Sequence, residues 1–203
     1  FRIRASDALV NWIDQFVEKK LSPMPIEDKY DFRIFDSAAE MYEVIQQMDR
    51  KHGLARIVST FDYVHKKDGE AYYVEEGNFK LPWNNDYGNR TWAEEAETIR
   101  EVGSIYTIQG FDLNYVGVIL GPSVGYDKDS DTLKVYPDQY KDIEAFRGRS
   151  DYENSEEIME KIILNSLNVL MKRGVHGLYI YAHDSNLRKR LLELEAERFS
   201  WRK

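Results

Sequence analysis

Apolar residues recur every three or four positions in four stretches of the chain, which is the spacing of one buried helix face. Each stretch follows a residue that can cap a helix, namely Ser6, Ser37, Asn154 and either Asp184 or Ser185. In the second stretch Glu40 completes a capping box, and Gly53 is typical of a helix end. The predicted buried faces contain Leu9, Trp12, Ile13 and Phe16, then Met41, Val44, Ile45 and Met48, then Met159, Ile163, Leu167 and Leu170, and finally Leu187, Leu191 and Leu194.

Runs rich in β-branched and aromatic residues alternate with these helices and predict strands. The runs cover residues 31–35, 55–61, 115–121 and 177–182, and a further strand is expected to open the segment 103–110. Alternating strands and helices favour a mostly parallel sheet covered by helices. The run 115–121 is apolar enough for the central strand. We therefore expect an α/β fold.

Two segments depart from this alternation. Residues 62–98 are rich in aromatic and turn-forming residues and predict an irregular insertion, with a hairpin near Glu76 and Gly77. Residues 123–136 predict a solvent-facing β-hairpin. The sequence shows neither an internal repeat nor a low-complexity tract, so residues 1–203 are expected to form a single domain.

The composition is that of an ordinary soluble domain, with a net charge of −8 and an isoelectric point near 5.1. This charge argues against a strong free-standing nucleic-acid binder, because lysine and arginine supply most of the affinity for phosphates. No apolar run approaches the roughly 20 residues of a membrane span, so no membrane association is expected. The absence of cysteine excludes disulfides and zinc–thiolate sites and fits a cytoplasmic location.

Several kinds of catalytic or metal-binding motif are missing from the sequence. There is no GxxxxGK[ST] loop to hold nucleotide phosphates, no GxSxG elbow and no HExxH motif. The histidines lack ligand spacing, and no metal site is predicted. The segment DKDSD places Asp127, Asp129 and Asp131 at the first calcium-ligand positions of an EF-hand loop. Thr132 and Asp138 stand where that loop needs glycine and glutamate, so a polar turn is the better interpretation.

Three segments together resemble the C-terminal RecA-like domain of superfamily 1 helicases. They are FRIRASDALVNWID at the start, GSIYTIQGFDLNYVGVILGP at 103–122 and NVLMKRGVHGLYIYA at 168–182, which look like helicase motifs IV, V and VI. More closely, they resemble an uncharacterised bacterial family of helicase-like P-loop proteins related to the ATPase region of Schlafen-type proteins. The resemblance spans essentially the whole chain and implies a RecA-like three-layer sandwich.

The resemblance also implies a function, that of the second motor lobe of a nucleic-acid-dependent ATPase. ATP and Mg²⁺ would be held by an N-terminal P-loop domain of the same polypeptide, and this lobe alone would be inactive. Arg173, at the motif VI position, and Arg2, at the motif IV position, would act as catalytic arginine fingers, since a guanidinium group contacts two phosphate oxygens at once. From the residues alone, Arg173 could equally neutralise the dipole at a helix C-terminus.

Motif V would connect the nucleotide with DNA or RNA, most naturally a single strand. Gln109 and Gly110 would form a turn after a strand and present backbone N–H groups to a phosphate, while Asp112 would couple this contact to the nucleotide. Thr107 is a further candidate contact with nucleic acid. The chain departs from the helicase pattern at Tyr106, where histidine is common, and at Lys172, where threonine is usual. A simple tight turn between strands remains the alternative.

Aromatic residues of the insertion could stack on unpaired bases, with Tyr63 and Trp83 as the main candidates. Aromatic side chains in a long loop also commonly cover a small satellite core, so both interpretations stay open.

Two other kinds of function compete with the motor lobe. One is a free-standing α/β interaction module whose sheet edge or acidic face recruits a protein. The other is a metal-dependent nuclease, for which carboxylates are abundant but not clustered. A chain that starts at Phe1 rather than methionine suggests a piece of a longer protein, which favours the motor lobe.

Overall fold

The computed structural model describes residues 6–149 and 152–200, so the predicted finger Arg2 lies outside the described residues. The helices, in chain order, are α1 (Asp7–Val17), α2 (Ala38–His52), α3 (Ser155–Met171) and α4 (Ser185–Glu197). The strands are β1 (Asp31–Ile34), β2 (Ala55–Ser59), β3 (Tyr73–Glu76), β4 (Phe79–Pro82), β5 (Val102–Gly103), β6 (Leu113–Leu120), β7 (Val124–Asp127), β8 (Thr132–Val135) and β9 (Gly174–Ala182). Short 3₁₀ helices cover Trp92–Glu94, Ala96–Arg100, Pro137–Gln139 and Glu144–Phe146.

Five parallel strands form the main sheet, in the order β1–β9–β6–β2–β5. Strand β6 is central, as predicted, and Val118 lies between Val58 on one side and Ile180 on the other. Its last five residues are all buried, because helices cover both faces of a parallel sheet. The α/β fold with a RecA-like arrangement of layers is thereby confirmed.

Two apolar clusters lie on opposite faces of this sheet. Helices α1, α3 and α4 pack on the face that carries Val58, Val118 and Ile180. Helix α2, the β3–β4 hairpin and the segment around Tyr140 pack on the face that carries Ile57. Since neighbouring residues of a strand point to opposite faces, Ile57 and Val58 belong to different clusters. The three layers follow directly from this alternation.

The predicted helix caps are mostly confirmed. Ser6 accepts a hydrogen bond from the backbone N–H of Leu9, and Ser37 accepts one from that of Glu40. Asp184, rather than Ser185, caps α4. Asn154 is the N-cap residue of α3, but its side chain makes no capping hydrogen bond. Helix α3 therefore depends on the burial of its apolar face, which includes Ile163, Leu167 and Leu170.

The structure corrects two details outside the main sheet. The segment 103–110 is a strand only as far as Gly103, after which residues 105–110 form turns and a bend. The hairpin formed by β7 and β8 is only partly exposed to solvent, because Val124 and Leu133 are buried in the main core. The hairpin predicted at Glu76 and Gly77 is present as β3 and β4.

None of the described helices combines the length and the apolar character that a membrane crossing requires.

Candidate functional site

The sheet topology brings two of the sequence-predicted motifs together. Strands β6 and β9 are adjacent and parallel, so the residues that precede them meet at the amino edge of the sheet. Asp112 directly precedes β6, and Arg173 directly precedes β9. The backbone N–H of Leu113 donates a hydrogen bond to the carbonyl oxygen of Arg173 at 2.8 Å. The motif V turn and the motif VI arginine are therefore neighbours in space although about 60 residues apart in sequence.

The guanidinium group of Arg173 lies against this turn. Its Nη1 atom is 3.7 Å from Asp112 Oδ1 and 3.5 Å from the carbonyl oxygen of Phe111. Arg173 is only 8% exposed, whereas the side chain of Asp112 is 48% exposed. The pairing of β9 with β6 is irregular just after Arg173, between Gly174 and Gly177, and a Cβ atom on Gly174 would lie only 2.0 Å from the carbonyl oxygen of Gly177. The arginine is thus held at a defined place at the edge of the sheet, beside a solvated carboxylate.

The turn itself leaves polar backbone groups at the surface. Gln109 and Gly110 are exposed, and Gly110 has a φ angle of 77°, a left-handed conformation that favours glycine. Within residues 6–149 and 152–200, no hydrogen bond engages the backbone N–H groups of Gln109 and Gly110. Two outward backbone donors in sequence are a suitable arrangement for a phosphate oxygen.

Thr107 has a structural role in the same turn. Its hydroxyl oxygen accepts a hydrogen bond from the backbone N–H of Ser104 at 2.7 Å and lies 3.1 Å from the Ser104 carbonyl oxygen. This local bonding closes the turn soon after β5, which is why the predicted strand ends early. The hydroxyl group of Thr107 is therefore bonded within the turn, and contact between Thr107 and nucleic acid stays a prediction.

Aromatic residues of the insertion pack against the start of the motif V turn. A Cβ atom on Gly103 would lie 2.7 Å from Thr107 Oγ1 and 2.7 Å from Trp92 Cη2, so the Trp92 ring packs directly against the start of the turn. Trp92 Nε1 donates a hydrogen bond to Glu101 Oε2 at 3.1 Å, and the hydroxyl group of Tyr87 also bonds to Glu101. The aromatic residues of this part of the insertion fix the position of the motif V turn.

Arg56 on β2 secures this support, and the sequence analysis missed it. The residue is only 3% exposed. Its guanidinium group donates hydrogen bonds to Asp49 Oδ1 and Thr98 Oγ1, at 2.7 Å and 2.9 Å. It also donates to three carbonyl oxygens, those of Ala55, Ala93 and Glu95. Arg56 therefore joins α2, the sheet and the segment 93–98. The sequence signal that could have revealed it is a single arginine within the β-branched run 55–61.

The two aromatic residues predicted to stack on bases make contacts with other residues of the protein. Trp83 is fully buried and makes T-shaped contacts with Phe61 and Tyr63. Tyr63 donates a hydrogen bond from its hydroxyl group to Glu76 Oε1 at 2.7 Å, which ties it to the β3–β4 hairpin. The Trp83 ring is therefore closed to a base, and the partly buried Tyr63 ring is held against the insertion. The satellite-core interpretation of the insertion is the one that the structure supports.

Another polar cluster lies at the carboxyl edge of the sheet. Asp62 Oδ2 accepts hydrogen bonds from the Thr60 hydroxyl at 2.7 Å and from the backbone N–H of Ser123 at 2.9 Å. Burial raises the pKa of Asp62 to about 6, against the opposing effect of these hydrogen bonds. The cluster fastens the end of β2 to the loop after β6. Among the described residues, no group of His, Cys, Asp or Glu side chains could hold a metal ion.

A comparison of sequence families identifies the family of the chain. Residues 1–184 match the family described as Schlafen group 3, DNA/RNA helicase domain. The chain belongs to that family. A Schlafen group 3 domain is helicase-like, so the relation to helicase-like ATPases inferred from the three motifs is confirmed at this level.

A curated relative of this Schlafen group 3 domain comes from yeast rather than from a bacterium. The chain is 47% identical over 210 residues to the uncharacterized protein YPL245W of Saccharomyces cerevisiae (strain ATCC 204508 / S288c). The match covers 95% of this chain and 46% of the yeast protein, so the chain spans less than half the length of that relative. No solved structure matches the chain.

Tyr106 is a further feature of this Schlafen group 3 domain that the sequence analysis recorded only as a departure from the helicase pattern. It is 54% exposed, although its ring makes a T-shaped contact with Phe61 at 5.7 Å between centroids. Its hydroxyl group donates a hydrogen bond to the buried carboxylate of Asp142. Burial, together with this hydrogen bond, raises the pKa of Tyr106 above its usual value, so the phenol stays neutral.

Proposed function

We propose that this chain is the second motor lobe of a nucleic-acid-dependent ATPase. In this proposal an N-terminal P-loop domain of the same polypeptide holds ATP and Mg²⁺, and Arg173, together with Arg2, completes the site across the cleft. The observation that carries the proposal is the contact between the motif V turn and Arg173 at one edge of the sheet. The family match to a DNA/RNA helicase domain supports the same reading.

The catalytic part of the proposal requires the Arg173 guanidinium group to exchange one negatively charged partner for another. In the structure Arg173 Nη1 lies 3.7 Å from Asp112 Oδ1, which is too long for a hydrogen bond, and the Asp112 side chain is 48% exposed and so also solvated by water. A γ-phosphate carries more negative charge and accepts two parallel hydrogen bonds from a guanidinium group. When the cleft closes, Arg173 exchanges the carboxylate for the phosphate and stabilises the charge of the transition state. Because Arg173 is 8% exposed, this exchange requires the adjacent turn to move.

The nucleic-acid part uses the same turn. The backbone N–H groups of Gln109 and Gly110 bind a phosphate of a DNA or RNA single strand, which holds the turn in one position. Asp112 lies two residues after Gly110 and faces Arg173. A strand bound at the turn therefore changes the position of the carboxylate that holds the arginine. This short connection would make ATP hydrolysis depend on nucleic acid.

Two observations weigh against the alternative of a module that recruits partners through its sheet edge. At the β1 edge, the backbone N–H of Ile34 donates to Glu195 Oε2 at 2.6 Å, and Arg198 Nη1 donates to the Phe32 carbonyl oxygen at 2.7 Å. At the β5 edge, Trp83 forms a parallel bridge with Val102. Strand addition needs free backbone groups, and these edge groups are already bonded.

The test compares ATP hydrolysis by the full-length protein that contains this chain with that of its Arg173→Ala variant. We expect kcat in the presence of single-stranded nucleic acid to fall by about 10³-fold or more, with little change in ATP affinity. Arg173→Lys restores the charge but not the planar fork, so it should recover only a small part of the rate.

The matched control is Arg90→Ala, which removes an arginine whose side chain is 63% exposed and paired with Glu95. Its kcat should equal that of the wild type. The assignment of Arg173 is wrong if Arg173→Ala turns over ATP like the wild type. A variant that loses ATP binding and hydrolysis together would instead show a structural role for Arg173.

A further inference from the structure

The ring of Tyr106 is held in place without being covered. Its edge-to-face contact with Phe61 and its hydrogen bond to Asp142 fix the orientation of the side chain. Asp142 is itself anchored, because its Oδ1 atom accepts a hydrogen bond from the backbone N–H of Ala145 at 3.2 Å. A further bond joins the backbone N–H of Lys141 to the Phe61 carbonyl oxygen at 2.7 Å. An exposed aromatic side chain that is fixed at both ends loses little entropy when it binds a flat ligand.

The segment that contains Asp142 carries an exposed apolar residue and a small excess of cations. Ile143, next to the residue that bonds the Tyr106 hydroxyl, is 80% exposed. Residues 141–149 carry three cations, Lys141, Arg147 and Arg149, against two carboxylates, although the whole chain has a net charge of −8. This part of the surface therefore combines an open aromatic ring with local cations, as single-strand binding surfaces do.

Tyr106 also lies close to the two outward backbone donors of the motif V turn. Gln109 and Gly110 follow Tyr106 by three and four positions, so their Cα atoms lie within roughly 14 Å of the Tyr106 Cα atom. A phosphate bound at Gln109 and Gly110 would place a base of the same strand within reach of the ring.

We propose that Tyr106 is a stacking platform for one unpaired base of the strand whose phosphate binds at Gln109 and Gly110. This inference rests on the proposed function, since it assigns a base contact to the same nucleic-acid site. The base lies on the Tyr106 ring, with Ile143 as apolar contact beside it. The contact does not depend on the identity of the base, because every base has a π-face. It takes the role that the buried ring of Trp83 cannot fill.

The test measures binding of a fluorescein-labelled deoxythymidine 12-mer and of an abasic 12-mer of the same length by fluorescence anisotropy. The protein is the full-length chain that contains this domain. Tyr106→Ala should weaken binding of the thymidine strand by about 5- to 150-fold, the range found for loss of one stacked base. Binding of the abasic strand, which has phosphates but no bases, should stay within about 2-fold of the wild type. Tyr106→Phe keeps the ring but loses the hydrogen bond to Asp142, so it should weaken binding of the thymidine strand less than Tyr106→Ala does and leave binding of the abasic strand unchanged.

The matched control is Tyr152→Ala, which removes another tyrosine that is 59% exposed; it should bind both strands like the wild type. Equal binding of the thymidine strand by Tyr106→Ala and the wild type would refute the stacking contact. So would an equal weakening of both strands, which indicates a displaced turn rather than a lost base contact. A wild-type protein that binds neither strand overturns the nucleic-acid part of the proposed function as well, and the Arg173 assay then shows whether ATP hydrolysis stands without it.

Discussion

Replacing Arg56 with lysine keeps the positive charge but removes the planar group that makes five hydrogen bonds in the core. An ammonium group has only three donors, so at least two buried acceptors lose their partner. The carbonyl oxygens of Ala93 and Glu95, which Nη2 reaches at 3.1 Å, are the acceptors most easily lost. The Glu95 oxygen keeps the Thr98 hydroxyl group as a donor at 2.8 Å, whereas no other donor among the described residues reaches the Ala93 oxygen. A buried acceptor left without a donor costs about 1–3 kcal/mol, so the free energy of unfolding should fall by about 2 kcal/mol.

A loss of about 2 kcal/mol is a substantial part of the roughly 5–15 kcal/mol by which domains are stable. It corresponds to a fall in Tm of roughly 4–8 °C for a chain of this length. Urea unfolding followed by tryptophan fluorescence is a suitable assay, because Trp92 lies in the segment that Arg56 holds. Arg147→Lys is the control, since the side chain of Arg147 is 77% exposed and a surface ion pair contributes only about 0–1 kcal/mol. An Arg56→Lys variant within about 0.5 kcal/mol of the control would refute the reasoning.

Two more predictions concern stability. Burial raises the pKa of Asp62 from 3.8 to about 6, so its protonation favours the folded state. This contribution to the free energy of unfolding, about 3 kcal/mol, is present below pH 4 and lost as the pH rises through 6. The Asp62→Asn variant should lack this pH dependence. Urea unfolding of both proteins at pH 4 to 7.5 measures the difference in stability between them. Identical pH profiles of the two proteins would contradict the shift. Gly103→Ala should lower the free energy of unfolding by about 1–3 kcal/mol, because its methyl group would clash with Trp92 and Thr107. An unchanged urea midpoint would show that the packing there is looser than described.

The elements that the sequence predicted well are those that local patterns determine. The helix faces of Leu9 and Phe16 or of Leu187 and Leu191 follow from a period of three to four residues, and all four of these side chains are buried. The central position of β6 follows from its uninterrupted apolar run. The hairpin at Gly77 follows from a glycine with a positive φ angle of 57°. Each of these signals lies within a few neighbouring residues.

The features that were missed depend on contacts between distant parts of the chain. Arg56 bonds to Thr98, 42 residues away, and nothing in the β-branched run around it announces that partner. Trp83 lies in an irregular segment where a buried ring and an exposed ring have the same sequence context. The turn at Thr107 was not predicted either, because it depends on a hydrogen bond from the Ser104 backbone N–H to the Thr107 hydroxyl oxygen. Tyr106 was also not predicted, because tertiary contacts with Phe61 and Asp142 orient its ring and still leave it exposed to solvent.

The bonds that Glu195 and Arg198 make along β1 limit how this domain can join another one. A sheet whose border is occupied by its own side chains cannot be extended by a neighbour's strand. At this edge a companion lobe would therefore contact the domain through loops and side chains. Such contacts can break and re-form without unfolding either lobe. That property suits a machine whose two halves must separate and rejoin in every catalytic cycle.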